Sequence, residues 1–395
     1  MRASPKRKVA HVADHDLDPM LDAVRDFVRK EVIPREAEID EKDEVPAVLR
    51  EAAKRMGLFG FTIPEEYGGL GLGIVDQCRL LIEVGYTTPA LRSMFSTNVG
   101  IAGQVIMDGG TPEQKAGWLP RLASGETVAS FALTEPDAGS DPSDLRTSAV
   151  RDGDAWVLNG TKRYITNAPI ADVFMVFART DPGAKSSHGI STFIVPAGTP
   201  GVSVGPRDHK MGQFGAWTAD VNLDDVRLPA GAVVGGDSGV DTGFLTAMRC
   251  LSNGRLLLAA ACVGMCQRLI DESVRFASER KQGGRAIASH QLVQAMIADS
   301  VTDTMAARAL VLESARAYAD GSDRRTGPAA AKYFCSEAVG RVADRAVQVH
   351  GGAGYMRSVP VERFYRDARL FRIYEGTSQI QQLIIARQTI GAAAG

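Results

Sequence analysis

Apolar residues in the N-terminal third of the chain recur at intervals of three and four positions. Met20, Val24, Phe27 and Val28 show this spacing, which places all four on one side of an α-helix. Proline and glycine interrupt the pattern repeatedly up to about residue 125. Residues 16–126 are therefore predicted to form a domain of several short helices.

Between residues 127 and 240 the apolar runs become short and lose the helical spacing. Runs at residues 155–158, 173–177 and 190–195 are bounded by Gly, Asp, Asn or Pro. No helical stretch separates these runs, so neighbouring strands are expected to pair with one another. The pattern predicts a middle antiparallel β domain, built as a barrel or a sandwich.

Helical periodicity returns after Gly243 in four long segments, at residues 244–281, 291–319, 328–349 and 378–390. Segments longer than an average helix are typical of an antiparallel four-helix bundle. The whole chain is therefore predicted to have an α+β fold. It comprises an N-terminal helical domain, a middle antiparallel β domain and a C-terminal four-helix bundle at residues 241–395.

Composition and charge favour a soluble enzyme. Of the 395 residues 45% are apolar, and acidic and basic residues nearly cancel to a net charge of -2. This balance gives no sign of a nucleic-acid or membrane surface. The basic segment at residues 1–15 lacks the apolar core of a secretory signal and is predicted to be a flexible arm. The longest apolar run, residues 256–266, is too short to cross a bilayer, so a cytoplasmic location is expected.

The five cysteines are an odd number, are widely spread and form no zinc-type C-x-x-C pair. They are interpreted as reduced core residues, and no metal site is predicted. The six histidines give no ligand pattern either.

The strongest chemical signal lies at residues 374–381, Tyr-Glu-Gly-Thr-Ser-Gln-Ile-Gln. Glu375 stands beside a glycine and before a Thr/Ser pair that can cap a following helix. The carboxylate can then act as a base, while backbone N–H groups near the helix start can face an oxyanion. This arrangement suits the removal of a proton next to a carbonyl.

Two further motifs accompany this segment. Residues 132–141 are Ala-Leu-Thr-Glu-Pro-Asp-Ala-Gly-Ser-Asp, and residues 348–355 are Gln-Val-His-Gly-Gly-Ala-Gly-Tyr. Together, and in this order, the three motifs closely resemble those of the acyl-CoA dehydrogenases, over essentially the whole chain. The resemblance implies the three domains already predicted, one FAD per subunit and a homotetramer of paired subunits.

The resemblance also implies a reaction. Glu375 aligns with the base that takes the α-proton of an acyl-CoA thioester, while the β-hydrogen leaves as hydride to the flavin. The product is the trans-2-enoyl-CoA, and an electron-transfer flavoprotein receives the electrons. Some members have their base on another helix, at the position of Gly254, and glycine cannot act as a base.

Further site residues follow from the same resemblance. Residues implied to contact FAD within the subunit are Phe131, Leu133, Thr134, Ser140, Tyr164, Ile165, Thr166, Thr377 and Gln379. Residues implied to reach the FAD of a neighbouring subunit are Arg280, Gln291, Gln348, Gly351 and Gly352. Residues implied to bind the substrate are Ser140, Ser252, Arg255 and Gly376.

Several alternatives stay open at this point. Phe214, Ser252 and Gly283 depart from the residues common in the family, which leaves the CoA and FAD contacts and the substrate class open. The length, branching and aromatic character of the acyl chain also stay undetermined. An acyl-CoA oxidase, or a flavin-containing binding protein without catalysis, would have the same scaffold. A hydrolase elbow at residues 201–205, Gly-Val-Ser-Val-Gly, is disfavoured because Ser203 lies between two valines in a strand-like pattern.

Overall fold

The computed structural model describes residues 14–184 and 186–393. The predicted arm at residues 1–15 lies almost entirely outside these residues. The α-helices are α1 (Asp14–Phe27), α2 (Glu36–Lys42), α3 (Ala47–Arg55), α4 (Ile74–Val84), α5 (Pro89–Thr97), α6 (Gly103–Gly109), α7 (Pro112–Ala123), α8 (Gly243–Glu279), α9 (Gln291–Asp320), α10 (Thr326–His350), α11 (Val361–Leu370) and α12 (Ser378–Ala393). The strands are β1 (Ala129–Ala132), β2 (Ser148–Asp152), β3 (Ala155–Thr166), β4 (Val173–Arg179), β5 (Ile190–Pro196), β6 (Val202–Val204), β7 (Thr218–Pro229), β8 (Lys281–Gln282) and β9 (Arg285–Ala286).

Short helices with clear local start signals form the N-terminal region. Thr88 accepts a hydrogen bond from the N–H of Ala90, and Pro89 follows as the first residue of α5. Thr111 and Gln114 form a reciprocal capping box at the start of α7. A π-helical turn at Asn98–Ala102 joins α5 to α6. These caps fix where α5 begins, and therefore which of its residues face the interior.

A seven-stranded sheet forms the middle region, with β1-β4-β2-β3-β7-β6 in order and β5 paired to β4. Most pairings are antiparallel, as predicted, but β1 runs parallel to β4, so the sheet is mixed. Parallel pairing is possible here because β2 and β3 lie between these two strands in the chain and give it room to cross over. Ser203 lies inside β6, paired with Asn222, which confirms the strand predicted from the pattern around this serine.

The four long C-terminal helices α8, α9, α10 and α12 agree with the predicted bundle within a few residues at each end. The bundle is joined closely to the N-terminal helices. A Cβ on Gly85, at the end of α4, would lie 2.2 Å from the carbonyl oxygen of Ala261 in α8. Glu36, the first residue of α2, accepts from Arg268 at 3.3 Å and from Arg363 at 2.6 Å. These contacts hold the N-terminal helices, α8 and α11 against one another.

All five cysteines are buried, which confirms them as core residues, and none of them forms a disulfide in this structure. Within the described part of the chain, no group of three or more His, Cys, Asp or Glu side chains is placed to hold a metal ion. None of the helices between residues 14 and 393 that the structure describes combines the length and the apolar character needed to cross a membrane.

Candidate active site

The loop between α11 and α12 has a strained backbone where the base was predicted. We call residues 374–377 the base turn. Glu375 has φ +55° and Gly376 has φ +87°, so both adopt the left-handed conformation. Glycine does this at little cost, but a glutamate does so only when its surroundings hold it there. Thr377 then accepts from the N–H of Ile380 at 3.3 Å, which confirms the predicted cap at the start of α12.

Side chains from three helices hold the carbonyl groups of the base turn. Lys332 of α10 donates to the carbonyl of Gly376 at 2.7 Å. Gln381 of α12 donates to the carbonyls of Glu375 and Gly376 at 3.1 and 3.0 Å. Arg255 of α8 donates to the Glu375 carbonyl at 3.4 Å. The strained turn is therefore fixed from α8, α10 and α12 together.

The Glu375 carboxylate is buried and only half satisfied. Its side chain is 7% exposed, and Oε1 accepts from Nη2 of Arg92 at 3.2 Å. Oε2 is buried and has no hydrogen-bond partner in the described part of the chain. Arg92 also donates from Nη1 to the Tyr374 hydroxyl at 3.2 Å, while its Nε has no partner there. One carboxylate oxygen is thus left for a ligand or a proton.

Burial raises the pKa of Glu375 above the usual range of a carboxyl group, although Arg92, Lys332 and Arg255 partly oppose the rise. Burial also lowers the pKa of Lys332 to about 8. Three cationic side chains therefore surround one carboxylate in this site. The carboxylate is placed to accept a proton nearer neutral pH than an exposed glutamate would.

Gly254 lies directly against the base. A Cβ built on Gly254 would lie 2.7 Å from Oε2 of Glu375 and 3.3 Å from Cδ1 of Ile101. The Glu375 carboxylate therefore occupies the space beside this helix position, where the resemblance places the base of other family members. Ser252, half-buried two residues earlier, donates its hydroxyl to the carbonyl of Met248 within the helix at 3.0 Å.

The predicted flavin residues of the β domain come together at the ends of β1 and β3. We call Phe131, Leu133, Thr134, Tyr164, Ile165 and Thr166 the strand-end cluster. Ser130 donates to the carbonyl of Thr166 at 2.8 Å, and the N–H of Arg163 donates to the carbonyl of Thr134 at 2.8 Å. The two strand ends are therefore in hydrogen-bond contact. Ser140, in the loop after β1, is exposed.

A buried ion pair holds the strand-end cluster in place. Nζ of Lys162 in β3 lies 2.7 Å from Oε1 of Glu135 and also donates to the carbonyl of Leu133 at 3.2 Å. Glu135 further accepts from the backbone N–H groups of Arg146 and Thr147 at 2.6 and 2.9 Å. The segment after β1 is thus locked onto β3 through two charged side chains that the sequence analysis did not single out.

One contact links the strand-end cluster to the base. Asn167, directly after β3, donates its side-chain amide to the carbonyl of Ser93 at 3.1 Å. Ser93 is the neighbour of Arg92, which holds Glu375. Helix α5 therefore connects the end of the β domain with the carboxylate in the C-terminal region.

The strand-end cluster has the properties of a binding surface for a flat polar ring. Tyr164 is 63% exposed and has φ +57°, an unusual conformation for an aromatic residue. The hydroxyls of Thr134 and Thr166 donate to no other described residue and could reach polar ring atoms. Apolar Leu133 and Ile165 are buried beside them. This chemistry fits the isoalloxazine ring of FAD.

The remaining predicted flavin residues lie elsewhere. We call Arg280, Gln291, Gln348, Gly351 and Gly352 the distal set; all are exposed. The C-terminal ends of α8 and α10 meet through stacked rings of Phe276 and His350, with centroids 4.4 Å apart. Along α10, Gln348 lies about 24 Å from Lys332, which contacts the base turn. The fold thus places the distal set far from Glu375 of the same chain, whereas Thr377 and Gln379 lie beside the base.

Arg92 and Lys332 are the main site residues that sequence reasoning missed. A signal for Arg92 was present, because residues 89–96 are Pro-Ala-Leu-Arg-Ser-Met-Phe-Ser and contain a single charge among apolar and small residues. All eight are buried in α5. A lone arginine in such a helix needs a buried partner, although the sequence does not say which.

Three family models cover most of the chain. The acyl-CoA dehydrogenase N-terminal domain matches residues 14–126, the middle domain residues 130–226 and the C-terminal domain residues 241–390. The predicted fold class, helical, then β, then helical, is confirmed by these matches and by the observed elements.

Individual proteins are similar over nearly the full length. An acyl-CoA dehydrogenase of Bacillus subtilis (strain 168) is 38% identical over 93% of this chain and 96% of that protein. The caffeyl-CoA reductase-Etf complex subunit CarC of Acetobacterium woodii is 38% identical over 92% of this chain and 95% of that protein. A solved glutaryl-coenzyme A dehydrogenase in complex with glutaryl-CoA is 32% identical, covers 99% of this chain and 97% of its own, and superimposes with a TM-score of 0.91. The chain therefore belongs to the acyl-CoA dehydrogenase family of FAD-dependent oxidoreductases.

Proposed function

We propose that this chain uses FAD to convert an acyl-CoA thioester to the trans-2-enoyl-CoA, with Glu375 as the base. The main support is the buried Glu375 carboxylate, whose Oε2 has no partner among the described residues. Burial raises the pKa of this carboxyl group. A carboxylate in this state is suited to accept the weakly acidic proton on the carbon next to a thioester carbonyl.

The base turn also offers a donor for the negative charge that develops on the thioester oxygen. The backbone N–H of Glu375 makes no hydrogen bond to another described residue. A preformed donor in a site closed to water stabilises an enolate-like oxyanion as the proton leaves Cα. Proton removal and charge stabilisation are thus assigned to one residue.

Residues of the strand-end cluster, of the base turn and of the start of α12 would hold FAD, which when bound supplies the acceptor for the hydride that leaves Cβ. Tyr164 would lie against the ring, and Thr134 and Thr166 would donate to its polar edge. Thr377 and Gln379 would approach from the base turn. The distal set would reach the FAD of a second copy of the chain, because it lies far from the base turn of its own chain. Gln348 is about 24 Å along α10 from Lys332, which contacts that turn.

The names of the relatives bear on the electron acceptor and on the acyl group of the substrate. The Etf complex named for the Acetobacterium woodii relative favours an electron-transfer flavoprotein as the partner of this chain. The same relative is named for caffeyl-CoA, whereas a solved relative holds glutaryl-CoA. These two acyl groups differ in charge, so the relatives alone do not determine which acyl group the substrate of this protein has.

The test is anaerobic addition of single acyl-CoA thioesters to the purified yellow protein, with the flavin absorbance recorded. We expect one class of thioester to bleach the flavin of the wild type. In Glu375→Gln the rate of bleaching should fall by a factor of about 10²–10⁴, the usual contribution of a general base, with flavin content unchanged. The matched control is Glu337→Gln, because Glu337 also acts on Lys332 but pairs with Arg372. Full activity in Glu375→Gln would remove this residue from the role of base.

A further inference from the structure

Arg92 has a charge that the reaction would leave without a partner. We propose that Arg92 binds a carboxylate at the end of the acyl chain, so that the substrate is a short dicarboxylic acyl-CoA. The carboxylate of the substrate would replace Glu375 as the partner of Arg92. This inference rests on the proposed function, since it names the substrate class of the same site.

The first support is the position of Arg92. Its side chain is 4% exposed, in a helix whose residues from Pro89 to Ser96 are all buried. A guanidinium group has five N–H donors, and burying it is costly unless they find acceptors. In the described part of the chain, Arg92 donates once to Tyr374 and once to Glu375, and Nε has no acceptor. Donors are therefore available for a further acceptor.

The second support is the charge balance of the reaction. Arg92, Arg255 and Lys332 all act on Glu375, the carboxylate of the base turn. Glu337 also acts on Lys332, but it is already paired with Arg372. When Glu375 accepts the α-proton it becomes neutral, and Arg92 loses its buried counter-ion. A carboxylate supplied by the substrate would keep Arg92 paired through that step.

A third support comes from the neighbouring turn of α5. Ser96 follows Arg92 by four residues and therefore lies on the same side of the helix. It is 2% exposed, and its hydroxyl makes no hydrogen bond to another described residue. Ser96 could donate to the second oxygen of a bound carboxylate. An uncharged acyl chain would use neither Ser96 nor Nε of Arg92.

The geometry also limits the length of the chain. Glu375 must reach Cα of the substrate, and Arg92 already lies within hydrogen-bond distance of Glu375 at 3.2 Å. The charged end of the substrate must therefore lie only a few bonds beyond Cα. A five-carbon dicarboxylic chain meets this condition and serves as the probe.

The experiment compares glutaryl-CoA with pentanoyl-CoA, which has the same number of carbons but ends in a methyl group. In the wild type, we expect kcat/KM for flavin reduction to favour glutaryl-CoA by about 100-fold, the usual effect of one buried charge pair. Arg92→Met should abolish this preference, whereas Arg92→Lys, which keeps the charge, should keep part of it. Equal kcat/KM values for the two thioesters in the wild type would overturn the proposal.

A binding measurement tests the exchange of partners without turnover. Glu375→Gln removes the carboxylate that competes for Arg92, so calorimetry should show glutaryl-CoA binding about 10-fold tighter than to the wild type, with pentanoyl-CoA unchanged. The double variant Arg92→Met, Glu375→Gln should lose this gain. An equal change in affinity for both thioesters would show that the substrate carboxylate does not replace Glu375 as the partner of Arg92. If no thioester bleaches the flavin, the proposed reaction fails, but these affinities still decide whether Arg92 binds the carboxylate.

Discussion

The candidate site contains two buried ion pairs, one at the strand-end cluster and one at the base turn, and they differ in how completely their hydrogen-bonding groups are satisfied. Lys162 and Glu135 have side chains that are 0% and 7% exposed, and Arg92 and Glu375 have side chains that are 4% and 7% exposed. Burial and formal charge are thus almost the same in the two pairs. The hydrogen bonds around them are not.

The Lys162 pair is saturated by protein groups. Glu135 accepts from Lys162, from the backbone N–H of Arg146 and from both the N–H and the hydroxyl of Thr147. Burial alone would raise the pKa of Glu135, but Lys162 and these donors outweigh it, and the pKa lies below its usual range. Glu135 therefore stays ionised near neutral pH and serves to fix the strand-end cluster.

The Arg92 pair is unsaturated, and the pKa of its carboxylate is shifted in the opposite direction, upwards. Oε2 of Glu375 and Nε of Arg92 lack partners among the described residues, and burial raises the pKa of Glu375 in spite of three nearby cations. Two pairs of equal burial thus have different uses. A saturated pair stabilises the fold, whereas a pair with unpaired atoms is available to a ligand and to a proton.

Removing one partner of the saturated pair is expected to have the largest effect on stability. Lys162→Met should lower the free energy of unfolding by about 3–5 kcal/mol, because it leaves Glu135 buried without a counter-ion. Arg92→Met should lower the free energy of unfolding by less, because Glu375 can take up a proton when its cationic partner is removed. Chemical denaturation of both variants measures the difference. An equal loss of stability in the two variants would contradict the conclusion that the saturated pair contributes more to the fold.

A smaller effect is expected from adding one methyl group beside the unsaturated pair. The Cβ of Gly254→Ala would lie 2.7 Å from Oε2 of Glu375, at the far end of a flexible side chain. The carboxylate should move, and the rate of flavin reduction should fall by up to about 100-fold with little loss of stability. Gly117→Ala in α7, where a Cβ meets nothing within 4 Å, is the matched control and should leave the rate unchanged. Equal rates in the two variants would mean that the position of Oε2 does not limit the reaction.

The smallest of the three effects concerns pH. The rate of flavin reduction should rise with pH as Glu375 loses its proton, with a midpoint above the usual range for a carboxyl group, because burial raises its pKa. Lys332 lowers that pKa, so Lys332→Met should move the midpoint to higher pH. Lys30→Met, which removes an exposed lysine paired with Asp26, should leave it in place. If the midpoint of Lys332→Met equals that of the wild type, Lys332 does not lower the pKa of Glu375 and this explanation is excluded.

Local sequence patterns predicted a large part of this structure. Apolar spacing located the four long helices of the bundle, and the Gly-Thr-Ser sequence after Glu375 predicted a turn followed by a capped helix. These features depend on residues a few positions apart, so a single sequence contains them. The family resemblance added the strand-end cluster, whose members the fold does bring together.

The features that were missed depend on residues far apart in the chain. Arg92 pairs with Glu375 across 283 positions, and Lys332 reaches Gly376 across 44. The parallel pairing of β1 with β4 likewise needs the path of the chain between them. No local pattern encodes such contacts, because they result from how helices and strands that are distant in the chain pack together.

The left-handed backbone at Glu375 and Tyr164 has a consequence for attempts to make this protein more heat-resistant. Glycine at either position would relieve the backbone strain, since glycine adopts positive φ without steric conflict. A screen for heat resistance alone would therefore favour Tyr164→Gly, a change in the strand-end cluster. Glu375→Gly would gain less, because it would also leave Arg92 buried without its carboxylate partner. Libraries aimed at heat resistance should keep the codon of Tyr164 fixed.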